Sequence, residues 1–173
     1  MITAITMIED LRNNLPAIRS LVTAMSYLIG FWYVGMGLKM ANDSVHDPRQ
    51  PKEAIWSRMF IGAAMIAIPS MITSSVGTFF AAGSNPTALA YSGPGGANMT
   101  MAVEAIEYFI QTVGWIAIIR GLMILKRVGD GTGSSRGDTA EKGVTHILGG
   151  GMATAIVATA KAIGSTFGVS MPL

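Results

Sequence analysis

The sequence predicts an all-α membrane or filament protein, with an amphipathic N-terminal helix followed by four apolar helices in two hairpins. Of its 173 residues, 50% are hydrophobic and only 13% are charged, and the mean hydropathy is +0.47. Charged residues make up about a quarter of ordinary soluble proteins. A second observation is that the charges are clustered, so the uncharged stretches between them locate the apolar helices. The whole chain is expected to form a single unit.

The N-terminal half predicts an interfacial helix and hairpin one. Residues 1–18 carry apolar side chains at helical spacing, with Pro16 marking a bend into the first span. No charge occurs from Ser20 to Leu38, and a helix of this length reaches roughly 28 Å, close to the hydrocarbon thickness of a bilayer. A second uncharged stretch begins at Met59, and its helix is expected to end near Ala82. Hairpin one therefore covers residues 19–82.

A Gly/Pro-rich linker, residues 83–103, separates this hairpin from hairpin two, residues 104–173. The third helix is expected to begin at Glu104, and its span carries Arg120 near one end, where the side chain can snorkel to the head groups. A fourth helix is predicted from Val144 to Val169, and it contains Lys161. A lysine inside an apolar helix either snorkels or meets a specific partner, water or lipid phosphate.

Basic residues concentrate in the two hairpin connections, which the positive-inside rule places in the cytoplasm. They are Lys39, Arg49, Lys52 and Arg58 in the first connection, and Arg120, Lys126, Arg127, Arg136 and Lys142 in the second. A gap-free shift of 88 residues also aligns Gly62 with Gly150 and Lys39 with Arg127. This alignment indicates a duplicated hairpin, although two unrelated membrane hairpins would share the same general hydropathy.

Small residues recur at four-residue spacing in the second helix of each hairpin, as in Gly149 with Ala153 and Gly151 with Ala155. Such spacing lets helix backbones approach closely. The glycines expected to pack helices, within the chain or between subunits, are Gly62, Gly150, Gly164 and Gly168.

Catalysis and metal binding have no candidate residues in this sequence. The chain contains no cysteine and two histidines, which lack the spacing of metal ligands. Glu104 and Glu107 suit the positive end of a helix dipole but have no acid–base partner in the sequence. The segment GDGTGSSRGD, residues 129–138, lacks the third glycine of a dinucleotide-binding loop. We therefore expect a non-enzymatic protein without a catalytic cofactor.

Two segments carry a family resemblance. YLIGFWYVGMGLKMAND, and GWIAIIRGLMILKRVGDGTG followed by EKGVTHILGGGMATAIVATAKAIGSTFG, resemble the small membrane proteins of type IVB secretion and conjugation systems, the TraQ, TraR, DotE/IcmC and IcmD group. Each hairpin also resembles the single hairpin of TrbC-type conjugative pilins. The pilin resemblance implies storage in the bacterial inner membrane, assembly into an extracellular helical pilus, and a bound structural phospholipid.

The resemblance also implies roles for the basic residues, which would line the lumen or meet lipid phosphate. These residues are Lys39, Arg58, Arg120, Lys126, Arg127 and Lys142, with Lys161 as a further candidate. The expected partners are other copies of the chain, phospholipid, other secretion-apparatus proteins and, transiently, transported DNA or protein. A permanent inner-membrane component of the same machine and a small membrane transporter or channel remain alternatives.

Overall fold

The fold is described here from a computed structural model, which covers residues 4–46, 51–70, 96–133 and 137–168. No strand occurs among these residues, so the predicted all-α class is confirmed for them. The helices are α1 (Ala4–His46), α2 (Lys52–Ile66), α3 (Gly96–Gly129), α4 (Ala140–Thr154) and α5 (Ile156–Thr166).

Two helices are long and apolar enough to cross a membrane, namely Thr6–His46 in α1 and Met99–Gly129 in α3. The bent pair α4 and α5 would make a third if it crosses as one span. The described residues therefore indicate a membrane protein with two or three candidate spans rather than the expected four. The expected end of the second span, near Ala82, lies outside the described residues.

Hairpin one consists of α1 packed antiparallel on α2 through glycines. A Cβ built on Gly30 would lie 2.8 Å from the Gly62 carbonyl oxygen, and one on Gly62 would lie 2.8 Å from the Gly30 carbonyl oxygen. Farther along, Gly37 lies against Met59. Because only a hydrogen fits at these positions, the two backbones approach more closely than larger side chains would allow.

Hairpin two repeats this contact with α3 and α4. A Cβ on Gly114 would lie 2.7 Å from the Gly150 carbonyl oxygen, and one on Gly150 would lie 2.6 Å from the Gly114 carbonyl oxygen. Gly121 lies against the carbonyl oxygen of Gly143. Both hairpins thus use two glycines seven residues apart in their first helix, on one helical face.

The two hairpins are structural repeats. Shifting α2 by 88 residues gives the bounds of α4 at both ends, and each helix is interrupted at an equivalent alanine, Ala67 or Ala155. The first helices instead correspond with a shift of 84 residues, which places Gly30 on Gly114 and Gly37 on Gly121. The gap-free alignment is therefore wrong for α1 and α3, because hairpin two has four more residues than hairpin one between its paired glycines.

Hairpin two packs beside hairpin one through α3, which contacts both α1 and α2. α1 and α3 run parallel, since Arg19 meets Gln111 and Tyr33 meets Lys126. On the other side of α3, a Cβ on Gly129 would collide with the Ser57 hydroxyl of α2. The core between the hairpins is formed by Ile61, Met65, Ile68, Trp115, Ile118, Ile119 and Leu122.

Two expected helix boundaries are wrong near the start of each hairpin. α1 continues through Pro16, with no separate interfacial helix, and the neighbouring Leu15 is buried. Proline inside a long apolar helix is tolerated when neighbouring groups compensate for the lost backbone hydrogen bond. α3 begins at Gly96 rather than at Glu104, because no proline or glycine interrupts the segment between Ala97 and Tyr108.

The expected fourth helix is broken rather than continuous, with α4 and α5 meeting at an angle of 90°. Ala155 adopts a non-helical conformation there, with φ −107° and ψ 37°. Side-chain hydroxyls serve the carbonyl groups at the break: Thr154 donates to the Gly151 oxygen at 2.7 Å and Thr159 to the Met152 oxygen at 3.1 Å. Such local bonds compete with the helical ladder and stabilise the bend.

Candidate functional site

Six charged residues gather where the helices meet the connection between α3 and α4, and we refer to them as the loop-end cluster. They are Arg58, Lys126, Arg127, Asp130, Asp138 and Lys142. Arg58 of α2 donates from Nε and Nη2 to the two carboxylate oxygens of Asp130 at 3.1 and 3.3 Å. Lys126 Nζ lies 2.7 Å from the same carboxylate. Asp130 therefore joins hairpin one to hairpin two.

Further contacts hold these two cations in place. Arg58 Nη1 donates to Met40 Sδ at 2.7 Å, which ties the guanidinium to α1 as well. Lys126 Nζ lies 5.0 Å from the centre of the Tyr33 ring, a cation–π distance. The ends of α1, α2 and α3 thus converge on one carboxylate.

Asp138 forms the other half of the cluster. Its carboxylate accepts from Arg127 Nη1 at 3.1 Å and lies 3.6 Å from Lys142 Nζ. The hydrogen bond from Arg127 and the nearby positive charges hold the pKa of Asp138 below its usual value, although burial acts in the opposite direction. Asp138 therefore links the end of α3 to the first turn of α4.

The basic residues predicted for lumen or lipid contact fall into two groups. Arg58, Lys126, Arg127 and Lys142 are paired with aspartates, so part of their charge is offset within the protein. Lys39 and Arg120 are exposed. Lys161 lies in α5, but its side chain lies outside the part of the structure that is described, as do Arg49 and Arg136 altogether.

A second polar group lies between α1 and α3, closer to the N-terminal ends of both helices than the loop-end cluster is. Arg19 Nη1 donates to Gln111 Oε1 at 3.3 Å, and Gln111 Nε2 donates to Glu107 Oε1 at 2.9 Å. The Arg19 guanidinium also lies 4.8 Å from the centre of the Trp115 ring. Glu107 and Gln111 are buried. We call Arg19, Gln111 and Glu107 the polar chain.

Sequence reasoning missed the polar chain because its members lie on helices that are distant in sequence. The available signal was that Arg19 and Glu107 border the uncharged parts of two apolar helices. Arg19 precedes Lys39 by 20 residues and Glu107 precedes Lys126 by 19, which is about 30 Å of helix. The polar chain and the loop-end cluster are therefore separated by about one hydrocarbon thickness.

An open groove of about 460 Å³ runs between α1 and α3. Its walls are mostly apolar, with the guanidinium-bearing Arg120 and Arg127 among its lining residues. The remaining lining residues are Val22, Met25, Ser26, Ile29, Ile116, Ile119 and Met123. The groove thus combines an apolar surface with two cations about two turns apart on α3.

The glycines predicted to pack helices have different surroundings. Gly62 and Gly150 lie at the interhelical contacts described above, and Gly164 is buried in α5. Gly168 has φ +69° and no neighbour within 4 Å, so it ends α5 rather than packing a helix. Neither Gly149 nor Gly151 has a neighbour within 4 Å. Sequence reasoning missed Gly30, Gly37, Gly114 and Gly121, whose common seven-residue spacing was the available signal.

Within the described ranges, no group of three His, Cys, Asp or Glu side chains is arranged to hold a metal ion. No family model, curated protein or solved structure matches this chain. The features that bear on function are therefore the repeat, the two polar layers and the α1–α3 groove.

Proposed function

We propose that this protein is a structural, non-enzymatic, pilin-like subunit of a type IVB conjugation or secretion apparatus, stored in the bacterial inner membrane and assembled into an extracellular helical tube. The tandem repeat of glycine-packed hairpins is the observation that carries the proposal. A structural subunit needs closely packed helices, and both hairpins achieve this packing within the chain through equivalent glycines.

Membrane storage is supported by the two long apolar helices and by the spacing of the polar layers. The loop-end cluster carries more basic than acidic residues and lies at one end of the helices. By the positive-inside rule, that end faces the cytoplasm. Arg120, within the apolar zone, is exposed on α3 and reaches the head groups by snorkelling.

A structural phospholipid is the proposed occupant of the α1–α3 groove. Its acyl chains match the apolar walls, and its phosphate matches the guanidinium groups of Arg120 and Arg127. Lys39 and Lys161 are further candidates for lipid or lumen charge. Because Asp130 and Asp138 already offset much of the loop charge, a tube wall near neutrality would let DNA or protein pass without being held.

Two alternatives have support of their own. A permanent inner-membrane component of the same machine would use the storage form alone, with its hairpins joined by Arg58 and Asp130. The polar chain supports a small transporter or channel, since buried ionisable residues often mark transport pathways. However, Arg19 and Glu107 lie at one edge of the apolar zone rather than at its middle, which favours a structural role.

Shearing the cells and separating filaments from membranes tests the proposal. We expect the protein in both the membrane and the sheared extracellular filaments, together with other apparatus proteins in the membrane fraction. Recovery only from membranes would contradict the pilin-like function and favour the permanent component. Ion flux through vesicles containing the purified protein would favour the transporter or channel.

A further inference from the structure

The two hairpins are repeats, yet only one of the two equivalent contact surfaces on their first helices is covered. On α3, Gln111 and Trp115 contact Arg19 of α1 and are 1% and 5% exposed. Leu122, in the core between the hairpins, is 8% exposed. The 84-residue shift places these residues on Tyr27, Phe31 and Leu38 of α1. Those side chains are 37%, 64% and 54% exposed. Hairpin one thus carries an uncovered version of the surface that hairpin two buries.

The surface of α1 that contacts α3 also has an equivalent on α3. Arg19 and Tyr33 of α1 contact α3. Val22 and Ile29 of α1 line the groove between the two helices. Their equivalents on α3 are Val103, Ile106, Val113 and Ala117. Ile106 and Val113 are 59% and 47% exposed. Val103 and Ala117 are half-buried. Hairpin two therefore carries a partly uncovered version of the surface that hairpin one uses.

We infer that a second copy of this chain covers these surfaces, with Val103, Ile106, Val113 and Ala117 of one copy against Tyr27, Phe31 and Leu38 of the next. This inference rests on the proposed function and specifies its self-association. The contact between copies repeats the contact between hairpins that the chain already contains. Because the two surfaces differ, the growing assembly keeps one unpaired surface at each of its two ends, and copies add head to tail.

Specific residue pairs follow from the internal contacts. Under the 84-residue shift, the contact of Arg19 with Trp115 corresponds to a contact of Val103 of one copy with Phe31 of the next. Tyr33 against Lys126 becomes Ala117 against Asn42. The ion pair of Arg58 with Asp130 corresponds to His146 of one copy facing His46 of the next, by the 88-residue shift of α2 and the 84-residue shift of α3. These are the two histidines of the chain.

These pairs are far apart within one copy. Because Arg19 meets Gln111, 92 residues later, Val103 lies beside the part of α1 near Leu11. Phe31 is 20 residues farther along α1, or about 30 Å. A short cross-linker between positions 31 and 103 therefore reports contact between copies only.

Cysteine cross-linking tests the inference, since the natural chain contains no cysteine. The full-length protein carrying Phe31→Cys and Val103→Cys is purified in detergent and treated with a short bismaleimide. Detergent is required because the inferred contact displaces neighbouring copies by about 30 Å along the helices, so it forms in a tube and not between copies that span the same bilayer. We expect a ladder of dimers and higher multimers. Trp32→Cys with Val103→Cys is the matched control, because the exposed Trp32 is equivalent to Ile116, which lines the open α1–α3 groove, and should give less product than Phe31.

Each single variant provides a second control. Phe31→Cys alone should remain monomeric, because the inferred contact joins unlike surfaces. Efficient dimers from that single variant would indicate a symmetric contact and overturn the inference. A ladder from the Trp32 pair but not from the Phe31 pair would also overturn it.

A charge design provides an independent measurement that does not depend on cysteine. His46→Asp with His146→Arg would place between copies the same pair that Arg58 and Asp130 form between hairpins. We expect larger assemblies in size-exclusion chromatography of detergent extracts, whereas His46→Arg with His146→Arg should give smaller ones. Equal assembly sizes for the two designs would contradict the proposed pairing.

The outcomes also separate this inference from the proposed function. A Phe31–Val103 ladder in detergent, without protein in sheared filaments, would retain the contact between copies and contradict the pilin-like function. Sheared filaments without that ladder would retain the function and contradict this contact.

Discussion

Arg58 and Asp130 are 72 residues apart in the chain, and their side chains form a two-point ion pair between hairpins. The Asp130 side chain is only 6% exposed and also meets Lys126. One carboxylate therefore fixes these parts of α2 and α3 relative to each other. The residues that precede this pair in the sequence, Ser57 and Gly129, are in direct contact. Packing and charge therefore act at the same place.

Replacing Asp130 with asparagine is expected to destabilise the fold. The change leaves Arg58 and Lys126 close together without their shared anion, and the loss of a hydrogen bond to a charged group costs about 1.5 to 3 kcal/mol. Unfolding in detergent micelles, followed by circular dichroism, measures this difference. Asp10→Asn on the exposed part of α1 is the control and should have little effect. Equal stability of the two variants would show that the ion pair contributes nothing net.

Adjacent glycines in α4 should respond differently to the same substitution. Gly150→Ala places a methyl group 2.6 Å from the Gly114 carbonyl oxygen, and such overpacking typically costs about 1 to 3 kcal/mol. Gly149→Ala meets no atom within 4 Å and should be neutral or stabilising by up to about 1 kcal/mol, since alanine favours helix. Thermal unfolding in micelles distinguishes them. Equal effects would contradict the close approach of α3 and α4.

Arg120→Gln is expected to reduce the amount of phospholipid that co-purifies with the protein. The variant removes one of the two cations lining the α1–α3 groove while preserving its apolar walls. Native mass spectrometry of the detergent-extracted protein measures the lipid bound per chain. Lys39→Gln removes an exposed cation that is not among the groove-lining residues, and it should retain the lipid. No stoichiometric lipid in the unmodified protein would contradict the lipid assignment.

The loop between α3 and α4 should open in acid. Because the folded pKa of Asp138 is lowered below 3.8, its ion pairs stabilise the fold above that value, and this contribution is lost as pH falls through the folded pKa. Hydrogen exchange of the first turn of α4, corrected for intrinsic rates, measures the opening. The protein should be better protected than Asp138→Asn near neutral pH, and the difference should disappear in strong acid. A difference that persists in strong acid would contradict this role for Asp138.

The helical class and the clustering of basic residues at one end of the hairpins could be predicted from the sequence, because composition and charge gaps report burial in an apolar phase directly. The pairing of those residues could not. Arg58 and Arg127 looked available for lipid or cargo, since nothing local shows that Asp130 and Asp138 reach them. The i,i+4 spacing of Lys126 and Asp130 was an available signal for their ion pair. Ion pairs across 72 residues depend on how the hairpins dock.

The repeat was partly predictable for a similar reason. The 88-residue shift is correct for α2 and α4, where Gly62 and Gly150 coincide. It fails for α1 and α3 because hairpin two has four more residues between its paired glycines. A gap-free comparison cannot detect this difference. The break at Ala155 was also missed, because the threonines whose hydroxyls stabilise it, Thr154 and Thr159, give no periodic signal in the sequence. The polar chain escaped notice because Arg19 and Gln111 meet only after the hairpins pack.

Glu53 and Glu141 provide the most direct test of the central claim that two equivalent hairpins enter the membrane in the same orientation. Both residues lie exposed in the first turn of their helices, at equivalent positions, whereas Asp10 lies toward the opposite end of α1. Single cysteines at these three positions are labelled with an impermeant maleimide in spheroplasts and again after lysis. We predict that positions 53 and 141 react only after lysis and that position 10 reacts in intact spheroplasts. Different labelling of positions 53 and 141 would contradict the account.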